Sequence, residues 1–317
     1  MRRLALASVL LLTAACGSSA TQTTAATGAY PVTVENCGAT VTFDAEPERV
    51  VMLKSAAVPY LHDLGVMDRI TAKAGQYPQA YYDAQTQAEL DTIPLLTDKT
   101  DTSGHLQISQ EIVIAQKPDL VLGQVDNLSR ETLSAVDIPL IEEPALCETT
   151  QTKPTFDSVY EQMDLYGKVF DEPSEASAAN ADLKKRVQAA TASTPSGRTA
   201  AVLYPTVGGG TTYAYGTLSM ADPQLKAAGF TNVFGNVDER VFEVTREELL
   251  GRNPDVLILL YSDGDPQTVD QAITSLPGAN QLNAVKNGNV LTQLFNFTEP
   301  PTPLSVTGLE MIRKRFG

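Results

Sequence analysis

The segment at 111–123, EIVIAQKPDLVLG, has a counterpart at 247–259, EELLGRNPDVLIL. Each opens on a glutamate, runs through an amphipathic turn or two, meets Pro-Asp and continues as an apolar run. In both, the glutamate stands seven residues before the proline. The order has a physical cause. A proline has no backbone N–H and its ring clashes with the preceding turn, so Pro118 and Pro254 each end a helix. The residue before a proline is pushed toward extended backbone, and the aspartate after it opens a strand. A single helix-to-strand step is common wherever helices cover a parallel sheet. Two with the same offset, one in each half, constrain the chain to two similarly built lobes. Each lobe is expected to be an α/β unit with a mainly parallel sheet.

The surrounding sequence fills in that plan. Val32, Val34, Val41 and Phe43 alternate around an Asn-Cys-Gly turn at 36–38, which predicts a β-hairpin. Strands are expected at 50–53, before Gly123, at 138–141, 199–204, 256–261 and 289–294, and helices at 56–64, 129–136, 218–228, 245–251, 269–275 and 304–316. Between the halves, Phe156, Val159, Tyr160, Met163, Tyr166 and Phe170 repeat at helical spacing. A second helix restarts at Pro173-Ser174, with Ala176, Ala179, Leu183, Val187 and Ala190 on one face. At 1.5 Å per residue, Ser174–Ala192 is about 28 Å long, the length of a strut between two lobes. The expected fold is therefore two similar three-layer α/β lobes, 30–172 and 196–317, bridged by one long helix at 173–195.

The first residues read as a targeting segment and leave the fold argument. Arg2 and Arg3 are cationic, and Leu4–Leu12 is apolar but short for a bilayer span. Thr13, Ala14 and Ala15 run straight into Cys16, which resembles a bacterial lipobox with Thr13 in the place usually held by leucine. On that reading residues 1–15 are a lipoprotein signal peptide, Cys16 carries diacylglycerol, and 16–29 is a flexible tether. The alternative is an ordinary secretory signal cut after an Ala-x-Ala-like site. Export leaves Cys37 and Cys147, which are expected to pair. A bridge closing so long a loop would constrain the unfolded chain by about 4 kcal/mol; the alternative is two buried thiols. The net charge of −15 excludes nucleic acid as a partner, since phosphate binding needs clustered Lys and Arg. Two histidines exclude a three-histidine metal site within the chain. No Gly-x-Ser-x-Gly elbow or His-Glu-x-x-His is present, so an exported hydrolase is a remote reading. A surface adhesion or signalling module is a second remote alternative.

At these residues the chain resembles the class III substrate-binding proteins of ABC importers, the iron-siderophore and cobalamin type. The likeness runs from about Tyr30 to Gly317. It rests on TVENCGATVTF with PERVVML, the paired Glu-x6-Pro-Asp segments, the mid-chain helix, GFTNVFGNV and LNAVKNGNVLTQL. The resemblance implies two α/β lobes bridged by one long helix, a ligand cleft between them and small lobe motions. It implies a monomer on the outer face of the cytoplasmic membrane, held by its lipid anchor alone and working with a permease dimer and a cytoplasmic ATPase. It also implies one surface glutamate per lobe that pairs with permease arginines. By offset to proline these are Glu111 and Glu247. Without the pairing, each is an ordinary carboxylate near a helix start.

In such an architecture the ligand site is built from loops after strand ends. Those loops carry Lys54, Lys99 and His105 and much of the aromatic content: Tyr77, Tyr81, Tyr82, Tyr204, Tyr213, Tyr215, Tyr261, Phe295 and Phe297. With tryptophan absent, tyrosine must supply flat amphipathic contact area. From these, Lys54, Tyr77, Tyr82, Lys99, His105, Tyr204, Tyr213, Tyr215, Tyr261 and Phe297 are the candidate ligand contacts. The glycines at 208–210 lack the Gly-Lys-Ser/Thr ending of a phosphate loop. His62 is expected to be structural. One histidine is too few for a bare metal ion, whereas a chelated metal needs no protein ligand set, so no resident cofactor is expected. A triply anionic catecholate would call for an arginine cluster, which these loops lack. The composition therefore tilts toward a ferric hydroxamate, with cobalamin, haem or another small organic solute as alternatives.

Overall fold

A computed structural model of the chain describes residues 29–101, 105–147 and 152–317. The signal segment at 1–15, Cys16 and the tether up to residue 28 lie outside the described residues. The chain opens with an antiparallel hairpin, β1 (Val32–Asn36) and β2 (Ala39–Phe43), turned at Cys37 and Gly38, both with positive φ. That is the two-residue turn whose twist matches a hairpin.

The N-terminal lobe follows with β3 (Val50–Met52), α1 (Val58–Asp63), β4 (Ile70–Lys73), α2 (Ala84–Thr92), α3 (Gln110–Ile114), β5 (Leu120–Leu122), α4 (Arg130–Ser134) and β6 (Leu140–Ile141). Its strands are parallel in the order β4-β3-β5-β6. Helices α5 (Phe156–Val169) and α6 (Pro173–Ala190) lead to the second lobe. There lie β7 (Thr199–Pro205), β8 (Thr212–Tyr215), α7 (Ala221–Ala227), β9 (Thr231–Asn232), β10 (Val241–Val244), α8 (Arg246–Arg252), β11 (Val256–Tyr261), α9 (Pro266–Thr274), α10 (Asn283–Lys286), β12 (Val290–Leu294) and α11 (Pro303–Phe316). The sheet order is β10-β8-β7-β11-β12, with β9 also on β7.

Both sheets are covered on two sides, which accounts for their unbroken apolar strands. Val50, Met52, Leu120 and Leu122 face one core with α1 and α5, while Val51 and Val121 face another with α3 and α4. In the second lobe Val256, Ile258 and Leu260 face α7 and α11, and Leu257 and Leu259 face α8 and α9. The second sheet is less parallel than its sequence suggests: β8 and β10 form an antiparallel edge. The glycines at 208–210, all with positive φ, lie in the connection of the β7–β8 hairpin.

The repeated segments perform the same construction twice. Ser109 and Thr245 cap α3 and α8, accepting from the Ile112 and Glu248 N–H groups. Lys117 and Asn253, each just before its proline, hold left-handed φ of 52° and 43° rather than the extended backbone expected there, because each ends its helix in the turn that leads into the proline. Asp119 then accepts from the N–H groups of Glu48 and Arg49 at 2.9 Å each. Asp255 accepts from the Thr199 N–H at 2.9 Å, its hydroxyl at 3.1 Å and the Asn283 amide at 3.0 Å. Each aspartate thus clips the start of the strand beside it, β3 in one lobe and β7 in the other.

The bridging helix α6 ends at Ala190, short of the residue 195 expected. Ala176 and Leu183 on it are buried in the first lobe's core, and Ala190 on the same face in the second's. Helix α5 approaches it so closely that a Cβ on Gly167 would lie 2.4 Å from the Ala176 Cβ. Helix α11 lies beside α6, held by Arg186, which donates to both Glu310 carboxylate oxygens at 2.9 Å. Leu304 and Val306 of α11 join the first core while Leu309 and Ile312 join the second. The span between lobes therefore rests on two helices.

Candidate functional site

Two adjoining cavities, about 550 and 360 Å³, lie between the lobes and share Gly75, Gln76, Pro78 and Ser262 as walls. The N-terminal lobe supplies the loops after β3, β4 and β5, and the C-terminal lobe those after β11 and β12. All follow the carboxyl ends of parallel strands, where the diverging chain leaves a crevice. Asn296 makes two hydrogen bonds that cross between the lobes at the wall of the smaller cavity. The Tyr81 hydroxyl accepts from the Asn296 N–H at 2.9 Å, and the Ser55 hydroxyl donates to the Asn296 side chain at 3.3 Å.

Lys54 lies on the wall of the smaller cavity. Gly123 lets its stem lie flat, since a Cβ there would come within 3.0 Å of the Lys54 Cγ. The ammonium pairs with Glu142 at 3.1 Å, and Glu142 is only 3% exposed. Glu142 is held in turn by the N–H groups of Gln124 at 2.5 Å and Glu143 at 2.7 Å. Asn36, at the tip of β1, fixes its backbone from both sides, donating to the Glu142 carbonyl at 2.8 Å and accepting from its N–H at 2.9 Å. Beside it, burial and then the charge of Glu142 push the Glu143 carboxyl up to about 8. The Cys37–Cys147 disulfide, formed as expected, joins the hairpin to the segment that follows this pair.

His105 also lines the smaller cavity, 3.2 Å from Asp126 and 3.9 Å from Asp101. These three are the one group of histidine and carboxylate side chains close enough to share a cation among the described residues, and all are exposed. Tyr77, Tyr82 and Tyr261 line the larger cavity. The Tyr77 hydroxyl is spent on the backbone carbonyls of Met52 and Ala74, at 3.1 and 3.0 Å. The Tyr82 hydroxyl donates to the Ser55 carbonyl at 3.4 Å.

The other candidates stand elsewhere. Lys99 is exposed outside both cavities. Tyr204 sits one layer behind the wall, donating to Ser262 at 3.1 Å with its ring edge-on to Phe295. Tyr213, beside it on β8, is exposed beyond the sheet's covered part. Tyr215 falls on the same face of β8 two residues further on, and the strand carries it under the helix layer, where it is 3% exposed. Phe297 is turned into the core by the tight turn at 295–297 and packs edge-on against Tyr81 at 5.2 Å. That same turn presents Phe295 and Asn296 to the smaller cavity. Asn296, Tyr81 and the Glu142–Glu143 pair were not among the candidates. Tyr81 and Phe295 carried the aromatic signal; a loop asparagine or a pair of glutamates after a strand carries none.

Glu111 and Glu247 are exposed in the first turns of α3 and α8, and neither lines a cavity. The Glu111 carboxyl is held below the usual range by its own N–H and by Ser109. Glu247 is held low first by Arg246, which donates to it at 3.1 Å, and then by its own N–H.

Residues 50–293 match the family model described as periplasmic binding protein. Among solved structures, a protein of the ABC-type Fe3+-hydroxamate transport system of Saccharomonospora viridis is 54% identical, with a TM-score of 0.86 over 91% of this chain and 99% of that one. A cobalamin-binding protein of Halobacterium salinarum is 24% identical over 90% of this chain and 74% of its own length. An uncharacterised ABC transporter substrate-binding lipoprotein of Bacillus subtilis is 24% identical over 97% of this chain and 93% of its own.

Proposed function

The chain belongs to the periplasmic binding protein family, and on that premise we propose that it captures a ferric hydroxamate outside the cytoplasmic membrane and hands it to an ABC permease. The observation that carries this is the cleft. Its cavities of 550 and 360 Å³ are in the size range of small-molecule sites and draw their walls from both lobes. No arginine lines them among the described residues, which disfavours a multiply anionic catecholate. The Saccharomonospora viridis relative supports the hydroxamate class. The Halobacterium salinarum relative keeps cobalamin as a second reading.

In this reading Cys16 carries the lipid anchor, the protein acts as a monomer, and Glu111 and Glu247 meet arginines of a permease dimer driven by a cytoplasmic ATPase. Rim charge pairs are screened, so each should contribute only about 1 kcal/mol to docking. Glu111→Arg with Glu247→Arg should therefore abolish uptake by repulsion while leaving ligand affinity unchanged. Uptake that survives the double reversal removes the docking role. Mass spectrometry of ligand retained through native purification, and tyrosine-fluorescence titration with a ferric trihydroxamate and with cyanocobalamin, test the ligand class. Binding of cyanocobalamin alone would overturn the hydroxamate reading.

A further inference from the structure

The cleft contains cations, yet the fold has already committed them. Lys73 is 9% exposed, its ammonium bonds the Leu90 carbonyl, and it lies 5.7 Å from the Tyr77 ring. Lys54 is committed to Glu142. A carboxylate as buried as Glu142 needs a cation, so the pair is fixed by the carboxylate's requirement rather than left for a ligand. Glu143 adds no second negative charge at neutral pH, because burial keeps its carboxyl protonated up to about 8. Lys54, Glu142 and Glu143 together therefore sum to no net charge. Asp98, Asp126 and Asp263 remain exposed on the walls, with His105 the partner of Asp126. The charge a ligand meets in the cleft is negative.

We propose that Glu142, by cancelling the charge of Lys54, sets the cleft to take metal chelates of net positive charge and to reject anionic ones. The ligand class is a ferric hydroxamate bearing a free ammonium arm. This rests on reading the cleft as a chelate site and names the chelate's charge. Lys54 keeps a role in contact: an ammonium has three N–H donors, and the bonds left over from Glu142 can reach a hydroxamate oxygen. Glu142 is a specificity-determining residue that acts through Lys54 and need not touch the ligand.

The test uses one iron core with three charges. A linear ferric trihydroxamate with a terminal amine carries one positive charge, its N-acetyl derivative none and its N-succinyl derivative one negative charge. With about 10 Å between charges at an effective dielectric of about 20, each step should change affinity roughly ten-fold. The wild-type protein should bind them in the order cation, neutral, anion. Lys54→Met unmasks Glu142 and should widen the cation-to-anion ratio by about a hundred-fold, because the two ligands differ by two units of charge. Glu142→Gln unmasks Lys54 and should narrow it by about as much. A merely structural role would weaken all three ligands alike and leave the ratio unmoved, which would overturn the proposal. So would equal wild-type affinities. Lys54 is partly exposed, so Lys54→Met keeps the test open if Glu142→Gln fails to fold. Should no hydroxamate bind, the hydroxamate reading fails by itself. The charge rule is then decided by aquacobalamin, a cation, against neutral cyanocobalamin under the same two variants. Binding of neither series overturns both.

Discussion

Replacing Asp255 tests whether the repeated Pro-Asp steps support the lobes as the geometry indicates. Asp255→Ala removes the acceptor for the Thr199 N–H and hydroxyl and for the Asn283 amide, at 2.9, 3.1 and 3.0 Å. A bond to a half-exposed carboxylate contributes about 1 kcal/mol once water competes, so the loss is about 3 kcal/mol. Asp119 makes two such bonds, to Glu48 and Arg49, on exposed ground. Asp119→Ala should cost about 1–2 kcal/mol. At about 2 °C per kcal/mol for a chain of this size, melting should fall by about 6 °C and about 3 °C respectively. The Thr199 N–H is the largest of the influences that hold the Asp255 carboxyl below its ordinary 3.8. With the folded value depressed, the stabilisation is fully present above 3.8 and is lost as pH falls through the lower folded value. The gap between wild type and Asp255→Asn should therefore close in acid. Circular-dichroism melts at neutral pH and near pH 3 read both effects. A change under about 1 °C for Asp255→Ala, or a larger loss for Asp119→Ala, would refute the clip.

Glu143 carries the opposite sign: its carboxyl is raised from 4.5 to about 8, so its contribution is full below 4.5 and is lost as pH rises toward 8. Glu143→Gln should melt above wild type at pH 8, with the difference shrinking toward pH 5; parallel pH profiles would contradict this. Cys37→Ala and Cys147→Ala should each cost about 4 kcal/mol, and the double variant little more, because one bond is shared; additive losses in chemical denaturation would count against it. Cys16→Ser should release the protein into the medium or leave it unprocessed, and a membrane-bound variant of unchanged gel mobility would rule out the anchor.

The lobes were legible because Pro118-Asp119 and Pro254-Asp255 mark backbone events that local sterics enforce. The strand-end loops were legible for a related reason: once the strands are parallel, topology places their carboxyl ends together. Individual side chains were not, because direction depends on how each loop leaves its strand. Tyr215 stands in a stretch whose sequence reads as a loop; β8 gives no strand signal because its burial runs half-exposed, exposed, buried, buried and shows no period of two. Edge position, rather than sequence, decides such a pattern. Helix α2 was missed because QTQAEL offers almost no apolar stripe, and its start relies on the Asp83 cap instead.

The buried acid pair behind the cleft wall was hidden for a stronger reason. Glu142 and Glu143 look like surface carboxylates after a short strand, and nothing local buries them. Their burial comes from a distant hairpin: Asn36 binds the Glu142 backbone on both sides, and Arg130 donates to Asn36 at 2.7 Å while also binding the Leu140 carbonyl at 2.5 Å. The disulfide, across 110 residues, ties Cys37 beside Asn36 to Cys147 just beyond the pair. The hairpin therefore has a duty besides stability. It holds Glu142 under Lys54, and so the charge of the cleft depends on a covalent link that no local reading of the acidic pair would suggest. Reducing the disulfide should loosen this clamp and narrow the cation preference before the lobes unfold, because the parallel sheets and α6 do not depend on it.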